Sequence, residues 1–369
     1  VEQDFALADR LGPEKIVHIR EPRVGLRAIV VVDNTAAGPA IGGTRMAPDV
    51  STEECFRLAR AMTFKNAAAG LAHGGAKSVI FGDPAMPPAA KERLVRAFAA
   101  AIVNLREYVP GPDMGTHETA MAWVRDEIGR AVGLPREIGG IPLDEIGATG
   151  LGVAVAAEVA QQFCGLKIRG ARVAVQGFGA VGRHAARFLV ERGALLVAAS
   201  DSHGAIVNPD GLRIAELAEL KAAGRSLADL QGAKRIEAEE LVAVDCDIWI
   251  PAARPDVLRA DNVDRLKARL VLQGANIPAT PEAEQRMHER GILSVPDFIA
   301  NAGGVIAAAV EYHGGTEKAA MDAVAEKVAA NTRAVLRAAG ARRITPRQAA
   351  LDLAEARVQR AMDLRRWQA

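Results

Sequence analysis

The stretch RVAVQGFGAVGRHAARFLVERGALLVAASD, residues 172–201, decides the fold class. It opens with a short apolar run, turns on glycines, continues at helical spacing through HAARFLVE and ends in a second apolar run. Gly177, Gly179 and Gly182 form G-x-G-x-x-G between the expected strand and the expected helix, the context in which such a motif carries meaning. The first glycine permits a tight turn, the second lets a pyrophosphate approach the backbone, and the third lets helix and sheet pack closely. Unpaired N–H groups at the helix start favour the negative charge. The segment predicts a dinucleotide site at Gly177, Phe178, Gly179, Ala180, Val181 and Gly182. An acidic residue about 20 positions on usually binds the ribose 2′-hydroxyl, and here Ser200 and Asp201 end the second apolar run. No arginine follows at once to hold a 2′-phosphate, so NAD is favoured and NADP stays open.

Outward from this unit the same alternation continues. GVAVAAEVAQQFCG (152–165) reads as a helix, and CDIWIPAA (246–253) and ARLVLQGAN (268–276) read as short apolar strands. Such strands alternating with amphipathic helices predict a doubly wound parallel sheet covered on both faces. Beyond Val305 the pattern is helical to the end, with Thr345 and Pro346 as N-cap and first-turn residue of the last helix.

Upstream, LRAIVVVD (26–33) reads as a strand and AAGPAIGGTRMAPD (36–49) as a glycine-rich turn. STEECFRLARAMTFKNAAAG (51–70) reads as a helix opened by a Ser51/Glu54 capping box and closed near Gly70. HGGAKSVIFGDP (73–84) is a glycine turn running into a strand, and YVPGPDMGTHETAMAWVRDEIG (108–129) goes from strand through turn to helix. Residues 131–150 are rich in glycine and proline and mark a boundary. The chain is therefore expected to be an α/β protein of two domains, 1–135 and 148–310, with C-terminal helices over 311–369 returning towards the first.

With 46 basic and 45 acidic side chains among 369 residues there is no charge excess to attract nucleic acid or anionic lipid. Cys55, Cys164 and Cys246 lie in no metal-ligand spacing, so neither a disulfide framework nor a metal site is expected. No apolar run reaches the ~18 residues of a spanning helix, and the expectation is a soluble, cytoplasmic protein. Lys65 and Lys77 stand in a segment otherwise nearly free of charge, where lysine is rarely placed without a partner. Glycines 74 and 75 suggest room for another molecule near Lys77, and desolvation there would move a lysine towards general-base work. Asp113, on a proline and glycine turn, is a candidate for proton exchange.

GPAIGGTRM (38–46), MTFKNAAAGLAHGGAK (62–77), GPDMGTHET (111–119), VAVQGFGAVG (173–182) and PDFIANAGGV (296–305), in this order, resemble the glutamate/leucine/phenylalanine/valine dehydrogenase family over nearly the whole chain. The resemblance implies reversible oxidative deamination of an L-amino acid to a 2-oxo acid and ammonia, with NAD or NADP as hydride acceptor. It makes Lys65 the anchor of the substrate α-carboxylate, Lys77 the catalytic lysine that activates water against the imino carbon, and Asp113 the proton-transfer partner at the amino group. Gly42 and Met62 fall at substrate positions, and Thr149, Asn276 and Asn301 near the nicotinamide end. The glutamate branch has a lysine inside the GPxxGG turn and a serine three residues after the valine of NAGGV. Here those places are Ile41 and Ala308, and with Val305 they favour an apolar side chain such as that of leucine, valine or phenylalanine. GPDMGTHETAMAWVRDE and SDSHGAIVNPDG look instead like the glutamate branch, so glutamate remains the alternative. A catalytically idle regulatory subunit or amino-acid sensor on the same fold is the competing class. A hexamer or octamer built through the first domain is also implied, with LRAIVVVD as a possible edge for assembly.

Overall fold

A computed structural model describes residues 5–365; the outermost residues of the first and last expected segments lie outside that range. The chain forms two compact units. One takes residues up to 143, 305–320 and from 351 onward; the other takes 144–304 and 321–350.

The first unit contains β1 (Lys15–Glu21), β2 (Leu26–Asn34), β3 (Ala40–Ala47), α1 (Thr52–Ala68), β4 (Gly74–Phe81), α2 (Pro88–Ala101), β5 (Tyr108–Pro112) and α3 (Glu118–Ile128). Its sheet has the order β1-β2-β4-β3-β5, with β2 antiparallel to both β1 and β4, and β3 parallel to both β4 and β5. Alternate residues of β2 explain its unbroken apolar run. Leu26, Ala28, Val30 and Val32 pack with Phe98 and Met121, whereas Ile29 and Val31 pack with Cys55 and Ala59 of α1.

This unit corrects two expectations. LRAIVVVD is not an edge: β1 pairs with it along its length, and the edges are β1 and β5. The segment KIVHIRE gave no strand signal because its alternation is half-buried rather than apolar. AIGGTRMA is a strand rather than a turn. Its glycines mask the β pattern, but a Cβ on Gly42 would lie 1.7 Å from the Ala76 carbonyl oxygen, so the close approach of β3 to β4 requires glycine. At α1 the expectation stands in part: Ser51 Oγ accepts from the Glu54 N–H at 3.1 Å, and the helix ends before Gly70, which has φ +65°.

The second unit begins with α4 (Leu143–Ile146) and α5 (Ala148–Ala160), then runs β6 (Arg172–Gln176), α6 (Ala180–Glu191), β7 (Leu195–Asp201), β8 (Gly204–Val207), α7 (Ile214–Ala222), β9 (Lys234–Ile236), β10 (Ile248–Pro251), β11 (Leu270–Leu272), α8 (Pro281–Glu289), β12 (Leu293–Val295) and α9 (Asp297–Ala300). The remaining helices are α10 (Gly303–Tyr312), α11 (Glu317–Arg342) and α12 (Pro346–Leu364). The sheet order is β12-β11-β10-β6-β7-β8-β9, parallel from β12 to β7, which is the doubly wound arrangement expected. β8 and β9 add an antiparallel edge that the sequence pattern did not announce. α5 is apolar all round and nearly every residue is buried, as a helix in a core must be. Thr345 caps α12 by accepting from the Gln348 N–H at 3.2 Å. Among the described residues no helix is long and apolar enough to cross a membrane.

Candidate active site

In the first unit, parallel pairing of β3 with β4 and β5 brings distant residues side by side. Lys77, in β4, is buried and forms an ion pair with Asp113, just after β5. Gly43, in β3, makes the space: a Cβ there would lie 2.8 Å from the Asp113 Cβ and 3.1 Å from Lys77 Nζ. Burial alone would push the Asp113 carboxyl up. The Lys77 ammonium, the Met114 N–H at 2.7 Å and Arg45 outweigh it and hold the carboxyl below its usual range. Beneath the pair, Thr44, Ser78 and Tyr108 form a buried hydroxyl cluster; Ser78 Oγ lies 2.8 Å from the Tyr108 hydroxyl, which donates to the Gly42 carbonyl at 3.2 Å. Desolvation pushes the Tyr108 hydroxyl up, so it stays a neutral donor.

Glycines 74 and 75 serve a different purpose from the one their setting suggested. A Cβ on Gly74 would lie 1.8 Å from the Asn34 carbonyl oxygen, and one on Gly75 would lie 2.0 Å from the Thr63 nitrogen. The space beside them is filled by the protein's own backbone, not by room for a ligand. That contact seats α1 on the sheet, with Lys65 half-buried in its last turn and Met62 half-buried one turn earlier. Asn66 fastens it further by donating to the Gly74 carbonyl at 2.7 Å and the Ile41 carbonyl at 3.3 Å.

Ile41 and Ala308 meet in one apolar cluster with Val109, Val132 and Ala309, and Val305 is half-buried on the same helix, α10. Val109 and Val132 carried no signal in the sequence. α10 is pinned by Glu311, a buried carboxylate accepting from the Gly133 and Leu134 N–H groups at 2.9 Å each.

In the second unit the glycine turn has the geometry a pyrophosphate needs. Gly177 has φ +93°, and a Cβ on Gly182 would lie 2.0 Å from the Gly177 carbonyl oxygen. Nothing lies within 4 Å of a Cβ on Gly179, which opens α6 with no side-chain cap on its N–H groups. Phe178 is buried, and Ala180 and Val181 are half-buried. Ser200 supports the turn: its hydroxyl accepts from the Gly177 N–H at 3.1 Å and its carbonyl from the Phe178 N–H at 2.8 Å. Asn301 donates to Asn276 Oδ1 at 3.0 Å while its own Oδ1 is buried without a partner, and the Thr149 hydroxyl lies beside Gly304. The open approach at Gly179, the uncapped helix and the orphaned Asn301 oxygen fit a nicotinamide dinucleotide.

Asp201 has a duty the sequence did not reveal. Its carboxylate accepts from the His203 and Leu227 N–H groups at 2.9 Å, from Lys221 Nζ at 3.1 Å and from Ser226 Oγ at 3.2 Å. Both oxygens are committed within the protein. Burial would raise this carboxyl, but those donors hold it below its usual range.

Comparison with known proteins matches both units to one family. A family model described as Glutamate/Leucine/Phenylalanine/Valine dehydrogenase matches residues 139–366. A second model, the Glu/Leu/Phe/Val dehydrogenase dimerisation domain, matches residues 13–130. The glutamate dehydrogenase of Aeropyrum pernix is 38% identical over 359 residues, covering 90% of this chain and 85% of that protein. The hetero-hexameric glutamate dehydrogenase of Thermus thermophilus, solved in a Leu-bound form, superposes with a TM-score of 0.86 at 32% identity, covering 97% of this chain and 91% of that one. The L-tryptophan dehydrogenase of Nostoc punctiforme superposes with a TM-score of 0.75 at 26% identity, covering 98% and 99%. The chain belongs to the glutamate/leucine/phenylalanine/valine dehydrogenase family, oxidoreductases that act on the CH–NH2 group of amino acids with NAD or NADP.

Proposed function

We propose that this chain catalyses the reversible deamination L-amino acid + NAD(P)+ + H2O → 2-oxo acid + ammonium + NAD(P)H + H+. The observation that carries the reading is the buried Lys77–Asp113 pair beside Gly43. Lys65 binds the α-carboxylate. Asp113 accepts the proton of the substrate amino group, and Lys77 activates the water that attacks the imino carbon. The dinucleotide, when bound at the turn 177–182, supplies the hydride acceptor. Ser200 keeps that turn in shape, and Asn276, Asn301 and Thr149 orient the nicotinamide end. Both catalytic groups are present, which argues against an idle subunit.

Two substrate classes are supported by different observations. Relatedness over 90% and 76% of the chain, to two proteins named glutamate dehydrogenases, supports glutamate at least as well as the local pocket supports anything else. The apolar cluster at Ile41 and Ala308 supports leucine, valine or phenylalanine, because it offers a side-chain carboxylate no charge partner. An oligomer, hexameric or octameric, is the assembly proposed, and the hetero-hexameric relative supports testing a mixed assembly beside a homo-oligomer. The deciding experiment is reduction of NAD and of NADP by the purified chain with L-glutamate, L-leucine, L-valine and L-phenylalanine. Turnover with glutamate alone would remove the apolar reading. Binding of amino acids without turnover would favour the regulatory subunit.

A further inference from the structure

The Lys77–Asp113 pair has a third charged neighbour. Arg45, in β3, places Nε 3.6 Å from Asp113 Oδ2, the same oxygen that meets Lys77. That Nε is buried and has no hydrogen-bond partner. The far end of the guanidinium is tethered, with Nη1 donating to Glu54 Oε1 at 2.6 Å. Glu54 was expected to complete the helix capping box; its side chain goes to Arg45.

An orphaned buried N–H is costly, and 3.6 Å is only a few tenths of an ångström beyond a hydrogen bond. A small rotation of Arg45 closes the gap. The deamination reading requires Lys77 to turn from Asp113 to a water or to substrate, and at that moment Oδ2 loses its cation. The charged and titratable groups around the pair are Lys77 from β4, Arg45 from β3 and the neutral Tyr108 hydroxyl from β5, with two from α1: Cys55 against Lys77 and Glu54 against Arg45. Arg45 is the cation left to take the oxygen.

We propose that Arg45 is a positioning residue for the reaction, closing on Asp113 Oδ2 when Lys77 leaves it, so that the carboxylate stays ionised and aimed at the substrate amino group. The assignment rests on the deamination reading above. A cation beside a carboxylate favours the anion, so removing Arg45 raises the Asp113 pKa towards or above its ordinary range. Asp113 must be ionised to accept the amine proton, so the acid limb of kcat/KM moves to higher pH.

The test measures kcat and KM against pH for the wild type, Arg45→Gln, Arg45→Met and Arg45→Lys, with the amino acid that the wild type turns over fastest. Both neutral variants should shift the acid limb upward by about one pH unit and lower kcat by about tenfold with a smaller change in KM. Arg45→Lys keeps the charge and should return the limb to near its wild-type position. Arg45→Met retains the apolar stem and carries the same test if Arg45→Gln does not fold. An unmoved acid limb in either folded neutral variant overturns the assignment. Absence of wild-type turnover on every amino acid overturns the deamination reading itself, and the role of Arg45 with it.

Discussion

At Gly43 a methyl group would collide with the Asp113 Cβ, so the missing side chain is what lets a lysine and an aspartate from different strands meet. The chemistry proposed for that pair makes two predictions at this scale. Lys77→Ala should lower turnover by about 10²- to 10⁴-fold with dinucleotide affinity retained, whereas Lys65→Ala should act mainly on the KM for the amino acid. Steady-state kinetics together with a nucleotide titration separate the two. Full activity in Lys77→Ala would remove the mechanism. Ile41→Lys combined with Ala308→Ser supplies a cation and a hydroxyl to the apolar cluster, and should move the ratio of kcat/KM values towards glutamate by about tenfold or more. An unchanged ratio would show that this cluster does not meet the substrate side chain. Lys65 and Lys77 were legible in the sequence as charges in improbable surroundings, whereas Asp113 lies on an ordinary turn and drew notice only beside them. Arg45 was not, because an arginine beside a glycine turn is ordinary until its neighbours are known.

Among elements, the contrast between β2 and β3 explains what sequence patterning can reveal. β2 is built from β-branched residues buried on both faces and announces itself. β3 carries two glycines because backbone and ion pair crowd it, so its strand character is hidden by the contacts that require it. The same distinction separates two glycine substitutions. In Gly75→Ala the new Cβ would meet the backbone of α1 at Thr63, a clash no rotamer relieves, and a loss of about 3 kcal/mol in urea unfolding is expected, with activity lost as α1 shifts. In Gly179→Ala the Cβ meets nothing, so the unfolding midpoint should stay within about 0.5 kcal/mol of wild type. The KM for the dinucleotide should rise, since the pyrophosphate must approach that backbone. A dinucleotide KM that is unchanged in Gly179→Ala would place the cofactor elsewhere.

For the whole molecule, the match of residues 13–130 to a dimerisation domain leads to an expected native mass that is a multiple of 38.8 kDa. Sedimentation at micromolar concentration checks it, and a monomer would remove the assembly reading. With β2 buried inside its sheet, any strand-mediated contact would have to use β1 or β5. By itself the sequence determined the two-part α/β organisation, the dinucleotide turn, and the residues at which deamination chemistry was to be sought. The first two are written in local periodicity or in a contiguous motif, because burial of one face and the demand of a tight turn act within a few residues of chain; the third rested on the resemblance that five motifs in order carry. Only the tertiary structure decided that Lys77 is paired, that Arg45 stands third beside it, that Glycines 74 and 75 seat a helix, and that Asp201 is committed to its own unit. Those facts depend on the order and register of parallel strands, which are set by packing across the whole sheet and leave no trace in the spacing of any one segment.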